Sequence, residues 1–373
     1  MRDRTYKGVS LFSGAGGLDV GFEQAGVEVV FANELDPDAA DAYCANRPDN
    51  PNVMHRGDIV AFSDELEAME NIDVLFGGPP CQGFSVAGKM DPDDERSLLV
   101  FAFLDAVATV RPRLFVMENV KALGRSPRWE SVRERLNSIA HSLGYETQPM
   151  VLDATDYGVP QKRERFFFVG IRQDTAHEAL SNLPSRLQLH AAKGATVRST
   201  LSALPRFGDA GNPESSVAAV RLAKNPILRP SAYHGSLLFN GRGRPMDLDA
   251  PAKTLPAQMG GNHTPIVDQA LLDDPDAFDW VSDYHSKLLE GTTTPQEAQG
   301  GLPSSIRRLT VREAAALQTF PPDYHFSGSV NKQYRQIGNA VPCRLAHAVA
   351  ASSLSLLLDG VQEIPEALSR RAS

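Results

Sequence analysis

The stretch Val9-Ser10-Leu11-Phe12-Ser13-Gly14-Ala15-Gly16-Gly17 sets the fold class of this chain, because it joins an apolar run to a glycine-rich turn. Residues 9–12 are predicted to form a strand, and the spacing of apolar side chains in residues 18–25 predicts an amphipathic helix that ends before Gly26. A strand, a glycine-rich turn and a helix in this order are typical of an open α/β sheet.

A second predicted strand, residues 27–32, leads to an acid. Glu34 lies 20 residues after Gly14, at a strand end where a carboxylate can accept hydrogen bonds from ribose hydroxyls. The turn lacks the Gly-x-Gly-x-x-Gly spacing of dinucleotide-binding proteins. Turn and acid together therefore predict a ligand that contains adenosine.

Further apolar runs continue the α/β pattern through about the first 170 residues. They predict strands at 73–76, 114–117, 147–153 and 165–171 and a helix at 97–110. After about residue 175 the chain breaks into short pieces rich in proline and glycine, and no internal repeat is visible. We therefore expect an α/β domain and a second, irregular region.

The composition is that of an ordinary globular protein, with 42% hydrophobic and 22% charged residues, and 373 residues suffice for two domains. Apolar runs such as 98–104 are much shorter than the ~20 residues of a membrane span, and no secretory signal is visible. The three cysteines, Cys44, Cys81 and Cys343, form no Cys-x-x-Cys pair. We expect no disulfide framework, no metal site and a cytoplasmic location.

The charge of the chain is unevenly distributed. A net charge of −9 argues against nucleic acid, yet residues 181–246 contain nine basic and two acidic side chains. Residues 268–290 have the opposite balance, with seven acidic side chains and Lys287. The basic segment is either a solvated loop region or a surface that contacts phosphates.

The loop Gly77-Gly78-Pro79-Pro80-Cys81-Gln82-Gly83-Phe84-Ser85 follows the predicted strand 72–76. Glycines permit close approach of backbone or ligand, and prolines restrict the turn that presents Cys81. A lone cysteine is more often a small buried apolar residue than a nucleophile. The flanking Pro-Pro-Cys-Gln favours the nucleophile, because it resembles the catalytic loop of the cytosine-5 DNA methyltransferases.

The resemblance to this family extends over roughly residues 8–172 and 305–350. It rests on motifs that occur in the family's order, namely 12–17, Glu34, 57–59, the Cys81 loop, 118–120, 161–165, 308–321 and 336–342. One departure is visible at Ser10, where the family usually has an acid before the glycine-rich turn.

The resemblance implies a Rossmann-like fold of the S-adenosylmethionine-dependent methyltransferases, with a mostly parallel seven-stranded sheet flanked by helices. A second, smaller and irregular target-recognition domain would accompany it. We expect the first part of the catalytic domain at 1–178, the target-recognition domain at 179–326 and the returning part of the catalytic domain at 327–373.

The resemblance also implies that Cys81 adds to carbon 6 of a cytosine, and that S-adenosylmethionine then methylates carbon 5. Glu118 would act on ring nitrogen 3, and Arg163 and Arg165 would hold the base and the Cys81 loop. The expected cofactor-binding residues are Phe12, Gly14, Gly16, Gly17, Glu34, Asp58, Ile59, Pro80, Leu99, Asn339 and Val341.

Double-stranded DNA is the expected partner, with the target cytosine flipped out of the helix and residues 83–96 closing over it. Gln82, Ser85, Arg242 and Arg244 are the expected DNA contacts. We also expect a monomer. Two settings are open: a restriction-modification system, in which a restriction endonuclease of the same specificity is a further partner, or an orphan methylase without one.

Three alternatives to this function are open. A transfer-RNA cytosine-5 methyltransferase would have the same fold, but the long basic middle region and Gly83-Phe84-Ser85 favour DNA. A nicotinamide-dependent oxidoreductase is disfavoured by the missing Gly-x-Gly-x-x-Gly. A non-catalytic DNA-binding relative is disfavoured because Cys81 and Glu118 are both present.

Overall fold

A computed structural model of the protein describes residues 5–80, 99–175, 178–216 and 218–357. Its strands are β1 (Tyr6–Leu11), β2 (Val27–Glu34), β3 (Met54–Arg56), β4 (Val74–Gly77), β5 (Leu114–Val120), β6 (Tyr145–Asp153), β7 (Gln161–Lys162), β8 (Glu164–Arg172), β9 (Leu222–Ile227), β10 (Leu237–Phe239), β11 (Ala252–Lys253), β12 (Ile266–Asp268) and β13 (Ile306–Arg308).

The helices of the described residues flank the sheet and build the middle of the chain. They are α1 (Gly17–Gln24), α2 (Pro37–Ala45), α3 (Ser63–Glu67), α4 (Leu99–Val110), α5 (Lys121–Arg125), α6 (Glu130–Ser142), α7 (Leu183–Gln188), α8 (Val197–Leu201), α9 (Gln269–Asp273), α10 (Trp280–Glu290), α11 (Pro295–Ala298), α12 (Val311–Leu317), α13 (Val330–Asn339) and α14 (Cys343–Leu354).

Seven strands form one sheet in the order β3-β2-β1-β4-β5-β8-β6. β8 runs antiparallel to both of its neighbours, and the other pairs are parallel. The expected mostly parallel seven-stranded sheet is therefore confirmed. The strands predicted from apolar runs lie within three residues of the observed bounds, whereas the short strand β3 was not predicted.

Strand register aligns the ends of the central strands. Leu11 of β1 pairs with Gly77 of β4, and Gly77 pairs with Met117 of β5. Because parallel strands present their carboxyl ends at one edge, the glycine-rich turn, Gly78 and Glu118 all follow at the same level. β8 is antiparallel, so Arg165, which pairs with Val120, also lies at this edge.

Helices cover both faces of the sheet. Val74 and Phe76 of β4 belong to the core that contains α1 and α14, whereas Leu75 belongs to the core beneath α4 and α6. This alternation follows from the two-residue period of a strand. α1 and α14 pack so closely that a Cβ on Gly21 would lie 2.4 Å from the Cβ of Ala346.

The stretch Val330–Leu357, which contains α13 and α14, has the length and apolar composition of a membrane span. However, 72% of its most apolar window is buried inside the protein. α13 also ends at Asn339, before α14 begins at Cys343. The stretch is therefore explained as part of the protein core.

The middle of the chain contains only short strands. β9 pairs with β10 and β12 with β13, each antiparallel, while β11 pairs with β7. A separate core lies under these pieces and contains Leu222, Ala232, Leu238, Phe239, Ile266, Val281, Tyr284 and Ile306. Leu180, Leu183 and Leu187 instead pack into the core of the seven-stranded sheet.

Candidate active site at the carboxyl edge of the sheet

The glycine-rich turn between β1 and α1 has an unusual backbone. Phe12, Gly14 and Gly16 have positive φ angles of 54°, 57° and 85°. This conformation suits glycine but is uncommon for phenylalanine, so neighbouring contacts must maintain it. The N–H of Ser13 donates to the Asn33 carbonyl at 2.9 Å, which ties the turn to the end of β2.

Glu34 also holds the turn. Its Oε2 accepts from the Gly14 N–H at 2.7 Å, and its Oε1 accepts from the Asp36 N–H at 2.7 Å. Burial raises the pKa of Glu34, although both N–H groups favour the charged form and oppose that shift. The predicted ribose acid and the predicted glycine-rich turn are therefore in direct contact.

Asp58 and Ile59 follow β3 beside the end of β2. Asp58 is exposed, and its Oδ1 accepts from the Val60 N–H at 3.1 Å, whereas Ile59 is buried. Sequence reasoning missed two apolar side chains, Leu35 next to Glu34 and Val60 two residues after Asp58. They are 70% and 72% exposed. Exposed apolar side chains next to two acids are a signal for a ligand with a flat apolar part, but their exposure is visible only in the fold.

The returning C-terminal segment closes the other side of the turn. A Cβ on Gly17 would lie 2.9 Å from the Val341 carbonyl oxygen, so glycine permits this close approach. Val341 is buried and Asn339, the last residue of α13, is exposed. Tyr324 reaches the turn as well, since its hydroxyl donates to the Ala15 carbonyl at 2.5 Å.

Glu118 lies near the end of β5 and is only 9% exposed. Its Oε1 is 2.9 Å from Nε of Arg165, and its Oε2 would be 3.1 Å from a Cβ on Gly78. Burial raises the pKa of Glu118, and the charges of Arg165 and Arg163 oppose that shift. The next residue, Asn119, donates from Nδ2 to the Pro79 carbonyl at 3.1 Å. β5 thus holds the segment that leads to the cysteine loop.

Arg163 and Arg165 have different environments although only one residue separates them. Arg163 is 1% exposed and donates to the carbonyls of Leu255 at 3.0 Å and Gly338 at 2.7 Å. Arg165 forms the ion pair with Glu118. Arg163 therefore connects the sheet edge to the middle region and to α13, whereas Arg165 contacts the candidate catalytic acid.

A pair of buried glutamines strengthens this connection. Both lie in motifs that the sequence indicated, but no role was assigned to them there. Gln161 donates from Nε2 to Oε1 of Gln318 at 2.9 Å and accepts from the Leu255 N–H at 2.9 Å. Gln318 donates in turn to the Ile337 carbonyl at 2.6 Å. An amide side chain can donate and accept together, which suits it to join three segments.

The predicted DNA contacts Arg242 and Arg244 are both exposed on the loop that follows β10. Arg308 is buried beneath this loop and donates to the side-chain oxygens of Asn240 at 3.0 Å and Asn262 at 3.3 Å. Hydrogen bonds from Arg308 therefore hold the base of the loop, while the guanidinium groups of Arg242 and Arg244 are exposed. The structure does not bring Arg242 or Arg244 into contact with Glu118 or Arg165.

The remaining predicted site residues lie at or beyond the limits of the described ranges. Pro80 is half-buried at the end of one described range, and Leu99 is half-buried at the start of the next, where α4 begins. Cys81, Gln82, Ser85 and the predicted closing segment 83–96 lie outside the described residues.

The chain is similar to known proteins along most of its length. A family model for C-5 cytosine-specific DNA methylases matches residues 6–227 and 252–355. Type II methyltransferase M.PspPI of Psychrobacter sp. (strain TA137) is 35% identical over 356 residues, 95% of this chain and 80% of the relative. Type II methyltransferase M.Eco47II of Escherichia coli is 34% identical over 362 residues, 96% and 81% of the two chains.

Solved structures give the same fold. A protein encoded in an Escherichia coli prophage and described as a DNA modification methyltransferase aligns with a TM-score of 0.66 at 22% identity. The alignment covers 95% of this chain and 99% of that chain.

Proposed function

The chain belongs to the C-5 cytosine-specific DNA methylases, and from this premise we propose that Cys81 and Glu118 carry out methyl transfer at the carboxyl edge of the sheet. The protein is a DNA cytosine-5 methyltransferase of the kind found in type II restriction-modification systems, and S-adenosylmethionine is its methyl donor. We propose further that the reaction passes through a covalent bond between Cys81 and a cytosine that is flipped out of the duplex.

The single observation that carries the proposal is the contact between Glu118 and the start of the cysteine loop. Glu118 lies against Gly78, three residues before Cys81, and Asn119 holds Pro79. A carboxyl and a nucleophile that act on one cytosine ring must approach it from neighbouring positions. The strand register at β4 and β5 supports this arrangement.

In the proposed reaction, the Cys81 thiolate forms a bond to carbon 6, and the electron pair of the 5,6 double bond moves toward carbon 5 and the ring. Glu118 donates a proton or a hydrogen bond to nitrogen 3, where negative charge develops. Its burial favours the protonated form that can donate. The charge of Arg165 favours the ionised form of Glu118 and so opposes the effect of burial. The ion pair with Arg165 also holds the carboxyl in a defined orientation.

When bound, S-adenosylmethionine would supply an electrophilic methyl group to carbon 5, and its sulfur would keep the electron pair of the broken carbon–sulfur bond as S-adenosylhomocysteine leaves. A base then removes the carbon 5 proton, and the electrons that return to the ring expel the Cys81 thiolate. The thiolate is regenerated and the methylated cytosine is released.

We also propose that the cofactor lies on the glycine-rich turn between Glu34 and Asp58. The residues present fit adenosine: Glu34 is an acid at a strand end, Asp58 is an exposed acceptor, and Leu35 and Val60 offer apolar surface. Phe12, Gly14, Gly16, Gly17, Ile59, Pro80, Leu99, Asn339 and Val341 complete the proposed set.

The DNA is proposed to contact the middle region through Arg242 and Arg244, with Gln82 and Ser85 near the flipped base. The proposed division is a catalytic domain at 1–178 and 327–373 and a recognition domain at 179–326. The separate core in the middle region supports it, although Leu180 to Leu187 pack with the sheet. We further propose a monomer in the bacterial cytoplasm that acts beside a restriction endonuclease of the same specificity.

Trapping of the covalent intermediate tests the proposal. Duplex DNA that contains 5-fluorocytosine at the target should form a denaturant-resistant adduct with the wild type, because fluorine is not removed as the proton is. Cys81→Ser should form none. Cys44→Ser is the matched control, since Cys44 is a half-buried free cysteine on α2, and it should keep the adduct.

Three outcomes contradict the proposal. An adduct with Cys81→Ser would show that another residue is the nucleophile. Methyl transfer to transfer RNA but not to duplex DNA would favour the transfer-RNA enzyme of the same fold. A target mismatch that fails to tighten DNA binding would argue against base flipping, because unpairing is cheapest at a mismatch.

A further inference from the structure

Asp19 is a buried carboxylate that the proposed reaction does not use. It lies in the first turn of α1, directly after the glycine-rich turn, and is 0% exposed. Its Oδ1 accepts a hydrogen bond from the Tyr43 hydroxyl at 3.0 Å. A carboxyl in a protein interior is costly unless it has a structural or functional role, so its contacts identify that role.

One set of contacts runs from Asp19 to the start of the turn. The Ser10 hydroxyl on β1 is near enough to lower the pKa of Asp19, although its short contact, at 2.8 Å, is with the Ser13 hydroxyl. Ser13 is the residue whose N–H ties the turn to β2. Oδ2 of Asp19 is buried without a hydrogen-bond partner among the described residues.

A second set runs from Asp19 to the middle of the turn. The Arg47 guanidinium stacks on the Tyr43 ring, with Cζ 3.8 Å from the ring centroid. Nη1 of Arg47 donates to the Tyr324 hydroxyl at 3.2 Å, and that hydroxyl donates to the Ala15 carbonyl at 2.5 Å. Asp19 also attracts Arg47 electrostatically.

The second set reaches the turn at Gly16, where the backbone tolerates no side chain. A Cβ on Gly16 would lie 2.7 Å from the Tyr324 hydroxyl and 2.9 Å from Nη1 of Arg47. Gly16 has φ 85° and Gly14, which donates to Glu34, has φ 57°. A turn with this backbone keeps one shape only when its surroundings over-determine it.

We propose that Asp19 is a positioning residue for the cofactor site, acting on the glycine-rich turn through Ser10 at one end and through Tyr43, Arg47 and Tyr324 at the other. It touches neither cofactor nor DNA. Its role is to keep the turn and Glu34 arranged before the cofactor binds, so that no binding energy is spent on ordering the turn. The inference rests on the cofactor site proposed above.

Calorimetric titration of S-adenosylmethionine, without DNA, tests the role directly. Asp19→Ala should raise the Kd for S-adenosylmethionine by at least about tenfold, the effect of one lost buried acceptor. The Kd for DNA should stay within about threefold of wild type, because the middle region is untouched. Asp276→Ala, an exposed acid of the middle region, is the control and should leave both constants unchanged.

An exchange variant separates positioning from general packing. Ser10→Asp combined with Asp19→Ser has the same atoms as the wild type but moves the carboxylate from α1 to β1, beside Ser13. It should restore the Kd to within about threefold of wild type, whereas Asp19→Ser alone should resemble Asp19→Ala. The exchange variant also provides the test if Asp19→Ala fails to fold.

The outcomes distinguish the two proposals. A wild-type Kd in Asp19→Ala, or an exchange variant no better than Asp19→Ser, would overturn the role of Asp19. If Glu34→Ala also binds S-adenosylmethionine with wild-type Kd, the cofactor site itself is misplaced. If Glu34→Ala weakens binding and Asp19→Ala does not, only the inference about Asp19 fails.

Discussion

The charged side chains at the sheet edge and in the middle region differ in burial and in pairing. At the sheet edge, Glu118 and Arg165 are paired and largely buried. On the loop after β10, Arg242 and Arg244 are exposed, and neither forms an ion pair with another described residue. Buried pairs have fixed orientations in a low dielectric, whereas exposed cations remain available for phosphates.

This difference separates two functions within one chain. Chemistry and cofactor binding need groups whose orientation is set before the reaction, and the seven-stranded sheet supplies that rigidity. DNA binding needs charge on an accessible surface. Substitutions at the sheet edge should therefore change turnover or cofactor affinity, and substitutions in the loop should change DNA binding and its dependence on salt.

The largest effect is expected for Glu118→Gln. The amide keeps the size of the side chain but donates no proton to nitrogen 3, so kcat should fall by about 10² to 10⁴. Steady-state methyl transfer at saturating cofactor measures this loss, and circular dichroism verifies that the variant is folded. Glu146→Gln, an exposed acid on β6, is the control. A kcat within threefold of wild type would remove Glu118 from the chemistry.

Asp19→Asn should change the pH dependence of stability. Burial raises the pKa of Asp19 to about 6, against the opposing effects of Arg47, Ser10 and Tyr43, while Glu23 raises it further. Asp19 also faces Tyr324 and Cys343: burial is the main cause that raises the pKa of each, and the charge of Asp19 adds to it.

An acid with a raised folded-state pKa stabilises the protein below its ordinary pKa, and this contribution is lost as pH rises toward 6. Relative to wild type, the free energy of unfolding of Asp19→Asn should therefore increase by about 2 kcal/mol between pH 4 and pH 7. Urea unfolding at a series of pH values measures it. Parallel curves for the two proteins would mean that Asp19 titrates normally.

Glu34→Ala should weaken S-adenosylmethionine binding by about ten- to a hundredfold, because charge-assisted hydrogen bonds contribute about 1.5 to 3 kcal/mol. Asp58→Ala should have a similar but smaller effect, since Asp58 is exposed. Calorimetry gives both values. Glu28→Ala is the control, because Glu28 is an exposed glutamate on the same strand as Glu34. This variant should bind the cofactor with wild-type affinity. DNA affinity that falls as much as cofactor affinity would contradict the separation of the two functions.

The smallest effect is expected in the middle region. Arg242→Ala and Arg244→Ala should each reduce the slope of log K against log salt by about one unit if they contact phosphates. Fluorescence anisotropy of a labelled duplex at several salt concentrations measures the slope. Arg206→Ala is the control, because Arg206 is exposed but paired with Asp273. An unchanged slope with lost discrimination between target and non-target duplex would instead identify base contacts.

The sequence predicted the sheet well and the middle region poorly, for a physical reason. Residues 165–171 were predicted as a strand and β8 is Glu164–Arg172, because a long buried strand leaves a continuous apolar run. β10 and β12 have three residues each, too few to show a period. Their stability comes from the core around Leu238 and Ile266, which joins segments distant in the sequence.

The candidate site shows the same division. Spacing along the chain indicated the glycine-rich turn and Glu34, and the resemblance to the family indicated Glu118, but Arg163 and Arg165 looked equivalent. They differ because Arg163 binds the carbonyls of Leu255 and Gly338, which are 92 and 175 residues away. Asp19 was not singled out either, since its contact with Tyr43 spans 24 residues.

Local order along the chain thus determined the α/β class, the position of the glycine-rich turn and the acids at the strand ends, because apolar periodicity and turn chemistry depend on neighbouring residues. Tertiary structure alone decided which groups meet. Parallel register placed Gly78 beside Glu118, and packing of the segment between α12 and α13 placed Tyr324 on the turn. Such contacts depend on chain segments brought together by the common core, and no local pattern in the sequence records them.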